Sequence, residues 1–184
     1  MSAEKLDYQP VLVGPTLLLK PLKQDDFEAL YEAAKDPEIW AGHPAKERYK
    51  KPEFEAYFST LLSTKKALVV YDASSARMVG TSSFYSPPDR PECIAIGFTF
   101  LIREKWGGAS NFELKKLMIE HAFSAFDEVY FHIGPANIRS QKATMKLGAV
   151  FLYEAELKIS AVPTASRCYS LTKVAWEKSR PFHN

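Results

Sequence analysis

The spacing of apolar residues along this chain changes from a helical period to a period of two and back again. Apolar side chains alternate between residues 67 and 102, whereas residues 111–126 carry them at the i, i+3, i+4 and i+7 positions of a helix. The pattern predicts elements in the order βααβββαβαββ. Their predicted ranges are strand 12–21, helices 24–35 and 52–62, strands 67–71, 78–85 and 92–102, helix 111–126, strand 129–133, helix 138–147, and strands 150–159 and 167–176.

Two of these predicted strands are separated by the long helix 111–126. Such a helix makes a crossover, so strands 92–102 and 129–133 are predicted to be parallel neighbours. Gly97 lies in the middle of the first of them. A glycine inside a strand predicts a bulge or the close approach of another backbone.

Composition favours one globular domain of ordinary polarity. The chain has 184 residues, 46% of them hydrophobic and 25% charged, with a formal net charge of +2. The densest basic segment, Lys46–Lys51, is interrupted by Glu47 and Tyr49, which is typical of a solvated face. We therefore expect no nucleic-acid partner.

The cysteines and histidines predict neither a disulfide nor a metal site. Cys93 and Cys168 form no CxxC pair, and the four histidines lack the spacing of metal ligands. The amino-terminal residues have no apolar signal core, and no apolar run approaches about 18 residues. We expect a cytoplasmic protein with no membrane partner and no metal.

A glycine-containing turn precedes the predicted helix 111–126. Its residues are Trp106, Gly107, Gly108, Ala109, Ser110 and Asn111. Backbone N–H groups at the start of a helix bind phosphate or pyrophosphate well, although glycines also occur there for packing. No Gly-Lys-Ser/Thr follows and no G-x-G-x-x-G is present, so this is neither a P-loop nor a dinucleotide fingerprint.

A second motif follows around the predicted helix 138–147. Asn137 stands at its N-cap position, and Ser140, Lys146 and Gly148 follow at fixed spacing. Together with the Trp-Gly-x-Ala turn, these motifs resemble the GNAT superfamily of N-acetyltransferases, in the branch of ribosomal-protein N-terminal acetyltransferases and related small-molecule enzymes. The resemblance covers about residues 11–176. It implies a single GNAT domain over 1–184, an α/β fold with a mixed sheet of about seven strands and helices on both faces.

The resemblance implies acetyl-CoA as co-substrate. Its pantetheine arm would lie where strands 92–102 and 129–133 splay apart, bonded by main-chain groups of Phe100, Leu101 and Ile102. The N–H groups from Gly107 to Asn111 would hold the pyrophosphate, because small residues allow close approach. Trp106, Asn137 and Lys146 complete the implied cofactor contacts.

The resemblance also implies the catalytic acid. Ser140 would protonate the departing thiolate, and Asn137 would orient the pantetheine or the acetyl group. The alternative is a capping Asn and a first-turn Ser with no catalytic role.

Four positions bear on how closely the family pattern holds. The second motif glycine is replaced by Ala109, and Glu104 would repel the phosphates. Thr144 stands where many GNAT enzymes carry a tyrosine acid. Ala95 replaces a glutamate of many close relatives, so the catalytic base is not fixed by the pattern.

A base, or a water path to bulk solvent, is needed because alkyl ammonium groups are protonated at neutral pH. His132, on the strand that leads to Asn137, is one candidate base, and a chain of waters is the other. Glu92, His43 and Glu38 are weaker candidates. The resemblance implies that the segment between the first two helices builds the acceptor pocket. Trp40 and His43 of this segment, with Tyr85 from the neighbouring strand, are therefore expected to contact the acceptor.

The expected activity is therefore acetyl-CoA-dependent N-acetyl transfer by direct attack in a ternary complex. The acceptor would be a protein N-terminus or a small primary amine, and a homodimer is possible. Ala95 and Glu104 leave open a non-catalytic acyl-CoA sensor on the same fold. A nucleotide-binding protein unrelated to CoA is a third interpretation of the glycine turn.

Overall fold

The computed structural model of this chain describes residues 6–179. The described strands form one eight-stranded sheet in the order β1-β2-β3-β4-β5-β6-β8-β7. Its helices and strands are β1 (Leu12–Val13), β2 (Leu17–Pro21), α1 (Phe27–Ala34), α2 (Pro37–Trp40), α3 (Lys51–Thr64), β3 (Ala67–Asp72), β4 (Met78–Tyr85), β5 (Ile94–Leu101), α4 (Ser110–Ala122), β6 (Glu128–Ile133), α5 (Ile138–Lys146), β7 (Val150–Leu157), β8 (Thr164–Thr172) and α6 (Lys173–Ser179).

The described residues group into two compact units. The first unit contains residues 7–84 and 98–118, and the second contains Leu6 with residues 85–97 and 119–179. The single-domain interpretation of the sequence stays a prediction.

The first unit is built on the antiparallel strands β1 to β4. Helices α1 and α3 pack through aromatic side chains, with Phe27 at 5.1 Å from Phe58 and 5.7 Å from Phe54 between ring centroids. Pro52 lies in the first turn of α3, as predicted. The Glu113 carboxylate, in the first turn of α4, accepts hydrogen bonds from the N–H and the hydroxyl of Thr16. This contact attaches the turn between β1 and β2 to the start of α4.

The second unit contains the parallel pair that the crossover predicted. β5 and β6 are parallel, and their register covers Ile94↔Val129 and Ala95↔Tyr130. β6 pairs antiparallel with β8 as far as Ile133, three residues beyond its last register pair with β5. The splay of these two strands beyond this register stays a prediction.

The amino-terminal strand is the first departure from the predicted elements. The predicted strand 12–21 is a hairpin of β1 and β2, closed by a hydrogen bond from Gly14 N to Leu17 O of 2.9 Å. The turn at Gly14-Pro15 therefore gives eight strands instead of about seven.

The carboxyl-terminal strand is the second departure. The predicted strand 167–176 ends at Thr172, whose hydroxyl accepts a hydrogen bond of 3.1 Å from Ala175 N. That bond caps α6, which buries Trp176. The long helix also ends early, at Ala122 instead of 126, where the Ser124 hydroxyl donates to the His121 carbonyl over 2.6 Å. Among residues 6–179, no helix combines the length and apolarity required to cross a membrane.

Candidate active site

β5 carries a left-handed residue in its middle. Phe98 has φ of +53°, a conformation that costs a non-glycine residue about 1–2 kcal/mol. The Tyr57 hydroxyl donates a hydrogen bond of 2.5 Å to the Phe98 carbonyl oxygen. This bond holds the irregular backbone of β5 in the first unit. The irregularity that the sequence predicted near Gly97 therefore lies one residue later, at Phe98.

Gly97 itself is approached by a side chain instead of a backbone. A Cβ added at Gly97 would lie 2.9 Å from Cε1 of Tyr85. Such a distance is shorter than packing allows, so only glycine leaves room for the Tyr85 ring in this position.

The end of β5 presents its main chain in alternating directions. The N–H of Ile102 donates to Val79 O of β4 over 2.9 Å. Because successive residues of a strand point their N–H and C=O groups to opposite edges, the main chain of Leu101 points away from β4. Its carbonyl accepts a hydrogen bond of 2.9 Å from Nε1 of Trp106. The side chains of Phe100, Leu101 and Ile102 are buried, and the N–H of Ile102 is bonded to β4, so of these three predicted contacts only Leu101 directs its main chain away from β4.

The glycine turn forms the start of α4. Gly107 has φ of +71°, which favours glycine, and a Cβ added at Gly107 or Gly108 would meet nothing within 4 Å. Gly107, Gly108 and Ala109 are exposed. A backbone bond of α4 runs from Glu113 N to Ala109 O, and helix geometry leaves the N–H groups of Ser110 and Asn111, at the start of α4, without an intrahelical acceptor. The turn is therefore open and suited to an anion.

The charge of Glu104 is compensated within the first unit. Its carboxylate lies 3.2 Å from the Arg77 guanidinium, and the neighbouring Lys105 lies 2.5 Å from Asp72. The hydrogen bond from Lys105 is the main reason why the pKa of Asp72 lies below its usual range. The ion pair with Arg77 reduces the repulsion that Glu104 alone would exert on a phosphate.

Helix α5 has the predicted caps. Asn137 Oδ1 accepts a hydrogen bond of 3.2 Å from Ser140 N, and Gly148 follows the helix with φ of +100°. The side-chain oxygen of Asn137 is therefore engaged in capping the helix. Ser140 and Asn137 are half-buried, Lys146 is exposed, and Thr144 is buried.

Gln141 is a residue of this region that the sequence interpretation missed. Its Nε2 donates to the carbonyls of Gly134 and Pro135, at 3.1 and 2.9 Å, and so holds the turn that leads into α5. The Tyr169 hydroxyl donates to its Oε1 over 3.4 Å. Its position on the buried side of α5, four residues after Asn137, was the available signal.

Tyr85 and His132 form a hydrogen-bonded pair in the second unit. The Tyr85 oxygen lies 2.6 Å from Nδ1 of His132. Desolvation lowers the pKa of His132, against an opposing effect of Asp89, and burial raises the pKa of Tyr85. Within residues 6–179, the buried Nε2 of His132 has no hydrogen-bond partner. A neutral imidazole with one unused nitrogen is the form that a base requires.

Ala95 lies in a buried cluster of the second unit. Ala95 packs with Tyr130 and Cys168, and Tyr85, Cys93 and Tyr153 pack against this cluster. Ala95 therefore belongs to the buried cluster against which Tyr85 packs.

Trp40 and His43 lie together in the first unit. Their rings are 5.6 Å apart, and Trp40 packs on Phe100 at 5.2 Å. Trp40 is buried and its Nε1 donates to Ala34 O over 2.8 Å, so most of this side chain belongs to the core. Burial, with a smaller effect of Arg48, lowers the pKa of His43 to about 4, and its Nδ1 accepts a hydrogen bond from Ala45 N.

Comparison with known families identifies the class of protein. Residues 16–150 match the family model described as an acetyltransferase (GNAT) domain. The match spans most of the chain, which therefore belongs to the GNAT acetyltransferase family. Comparison with curated protein sequences gave no match.

Solved structures support the same fold. A GCN5-related N-acetyltransferase from Brucella melitensis has a TM-score of 0.80 at 15% identity, covering 95% of this chain and 84% of that chain. A probable GNAT-family acetyltransferase from Chromobacterium violaceum has a TM-score of 0.80 at 18% identity, covering 96% and 92%. Mycobacterium smegmatis RimJ, in complex with CoA-disulfide, has a TM-score of 0.68 at 14% identity, covering 96% and 97%. The predicted GNAT fold, with its mixed sheet, is confirmed.

Proposed function

We propose that this protein transfers the acetyl group of acetyl-CoA to a primary amine, by direct attack in a ternary complex. The observation that carries the proposal is the open turn of Gly107 and Gly108 at the start of α4, within a chain of the GNAT family. The N–H groups from Gly107 to Asn111 hold the pyrophosphate, and the main chain of Leu101, which points away from β4, bonds the pantetheine. Trp106 and Lys146 contribute further cofactor contacts.

The acceptor is an amine of a protein N-terminus or of a small molecule. The similarity to Mycobacterium smegmatis RimJ supports the ribosomal-protein branch only as a hypothesis, since the two chains are 14% identical. The cytoplasmic location and the homodimer stay predictions.

The acid and the base come from separate residues in this proposal. Ser140 protonates the departing thiolate of CoA, and the capping contact of Asn137 fixes the start of the helix that carries Ser140. His132 takes the proton of the amine at Nε2 through water, because this nitrogen is buried, while its Nδ1–H donates to the Tyr85 oxygen. The lowered pKa of His132 keeps it neutral, and therefore able to accept a proton, at neutral pH.

The first test is a thermal-shift and calorimetric titration with acetyl-CoA, CoA and ATP in parallel. A ligand bound only to the native state stabilises it by about 2.7 kcal/mol at a hundredfold excess over its Kd. We expect a shift with both CoA species and none with ATP. A shift with ATP alone would assign the turn to a nucleotide, and binding of acetyl-CoA without turnover on any amine would indicate the sensor.

The second test is the pH dependence of kcat/KM once an acceptor is known. A base with a lowered pKa gives a rate that rises with pH and levels off below the ordinary histidine value of about 6.5. His132→Gln should remove the rise of kcat/KM with pH. Tyr85→Phe should shift the pH at which this rise is half complete. A profile that His132→Gln leaves intact would assign proton removal to water.

A further inference from the structure

Arg48 is a half-buried cation that has no ion-pair partner among the described residues 6–179. Its guanidinium carbon lies 4.3 Å from the ring centroid of Tyr57 and 5.6 Å from that of Trp40. Within residues 6–179, no carboxylate oxygen lies within 4.0 Å of its nitrogens, and Glu53 acts on it only through space. Burial accordingly lowers the pKa of the Arg48 guanidinium.

The neighbouring cations of the same segment are paired. Lys50 forms an ion pair with Glu47, and Lys51 lies 3.0 Å from Glu28. Both lysines are exposed, as the sequence pattern predicted for this segment, but Arg48 is not. A charge that is removed from water without a partner destabilises the protein, so an unpaired cation of this kind calls for a ligand.

The surroundings of Arg48, called here the Arg48 slot and formed by the rings of Tyr57 and Trp40, indicate the chemistry of that ligand. The Tyr57 and Trp40 rings lie 4.3 and 5.6 Å from the guanidinium carbon, and the N–H donors in the guanidinium plane can form two parallel bonds with a carboxylate. His43, whose pKa is lowered to about 4, is neutral at physiological pH and adds no second charge. Arg48, as a single cation beside two aromatic rings, matches a planar, singly charged carboxylate better than a dianionic phosphate.

The Arg48 slot is attached to the strand that the proposed function assigns to the cofactor. Tyr57, whose ring lies against Arg48, donates its hydroxyl proton to the Phe98 carbonyl over 2.5 Å. Trp40, whose ring also lies against Arg48, packs on Phe100. Arg48 is thus one aromatic ring away from β5, whose main chain at Leu101 is proposed to bond the pantetheine.

We propose that Arg48, which lies against the rings of Tyr57 and Trp40, binds a carboxylate of one of the two substrates. This inference rests on the proposed acyl transfer, because it places the carboxylate beside the strand that holds the thioester end of the cofactor. The carboxylate belongs either to the acceptor, which is then an amino acid, or to the acyl group, which is then one end of a dicarboxylic acid joined to CoA.

The test uses matched ligands that differ only in the carboxylate. Proteinogenic L-amino acids and their α-amides are compared as acceptors with acetyl-CoA. Succinyl-CoA and acetyl-CoA are compared as donors with an amine that has no carboxylate. Each pair is measured with the wild-type protein, Arg48→Gln, Arg48→Lys, and the control Lys50→Gln, which removes a neighbouring exposed cation. Binding is followed by calorimetry and thermal shift as well as by KM.

We expect Arg48→Gln to weaken the binding of the carboxylate-bearing member of one pair by about 10- to 100-fold. This is the range expected for the loss of hydrogen bonds to a charged group. Binding of the matched ligand without a carboxylate should be unaffected. Arg48→Lys should restore part of the loss, and Lys50→Gln should behave as wild type. The pair that responds identifies the substrate that carries the carboxylate.

Two outcomes would overturn the proposal that Arg48 binds a substrate carboxylate. One is an equal effect of Arg48→Gln on both members of each pair, and the other is no discrimination by the wild-type protein. Failure of the proposed function is a different result, namely no binding of acetyl-CoA to the wild type, or binding without turnover on any amine. In that case Arg48-dependent binding of an amino acid, measured by calorimetry, would support the subsite, and its absence would overturn it.

Discussion

The acid sensitivity contributed by His43 can be predicted in sign and magnitude. His43 has a pKa of about 4 in the folded chain because burial and the nearby Arg48 disfavour its charged form. The unfolded chain has a pKa near 6.5 at this position. Between these values the unfolded state binds more protons than the folded state, so the free energy of unfolding falls as the pH falls. The contribution is fully present above the unfolded pKa and is lost towards pH 4.

The magnitude follows from the two pKa values. At about pH 5, proton linkage to this one group lowers the free energy of unfolding by ~2 kcal/mol relative to neutral pH. For a chain of this size that corresponds to a fall in Tm of roughly 4–8 °C.

The assay compares wild type with His43→Gln by thermal unfolding from about pH 7 to pH 5. Gln keeps an acceptor for the Ala45 N–H, which His43 Nδ1 accepts over 3.0 Å, and it does not titrate. Other groups with lowered pKa values, such as His132, Asp36 and Asp72, are present in both proteins and cancel in the difference. The wild type should lose about 2 kcal/mol more than the variant over this range. Parallel pH profiles would refute the assignment of a low pKa to His43.

Three further substitutions test the proposed site and its packing. Ser140→Ala should lower kcat by about 10- to 1000-fold while acetyl-CoA affinity is nearly retained, and an unchanged kcat would exclude Ser140 as the acid. Gly108→Val should weaken acetyl-CoA binding at least about tenfold without loss of Tm, whereas Gly42→Val, at another glycine whose added Cβ meets nothing within 4 Å, should do neither. Equal affinity of these two variants would remove the turn from the cofactor site. Gly97→Ala should lower stability by about 1–3 kcal/mol through its 2.9 Å contact with Tyr85, and less in a Tyr85→Leu background, as a double-mutant cycle would measure.

Much of the fold was accessible from local patterns. The central strands, the crossover helix and the caps at Asn137 and Gly148 were predicted because each is determined by residues that are close in sequence. The glycine turn was predicted for the same reason, since Gly107 needs a positive φ that few other residues adopt.

The remaining features depend on contacts between distant residues. The left-handed conformation of Phe98 is held by Tyr57, and an aromatic residue inside a strand gives no sign of it beyond the adjacent Gly97. The pattern around Arg48 was interpreted as a solvated basic face, which describes Lys50 and Lys51 correctly. Arg48 differs because Trp40 and Tyr57 enclose it, and no local pattern contains that information. Thr172 could not be recognised as a helix cap because its preceding residues continue the strand pattern.

The enclosure of Arg48 also determines how ionic strength should act on this protein. Salt at physiological concentration screens charges over about 8 Å of water, which weakens exposed pairs such as Lys51 and Glu28. The half-buried guanidinium of Arg48 lies against two aromatic rings and has less solvent around it, so its attraction for a carboxylate should persist when the surface pairs no longer contribute. Selection of a carboxylate-bearing substrate should therefore be insensitive to salt, although the rate at which substrates arrive at the protein should not be.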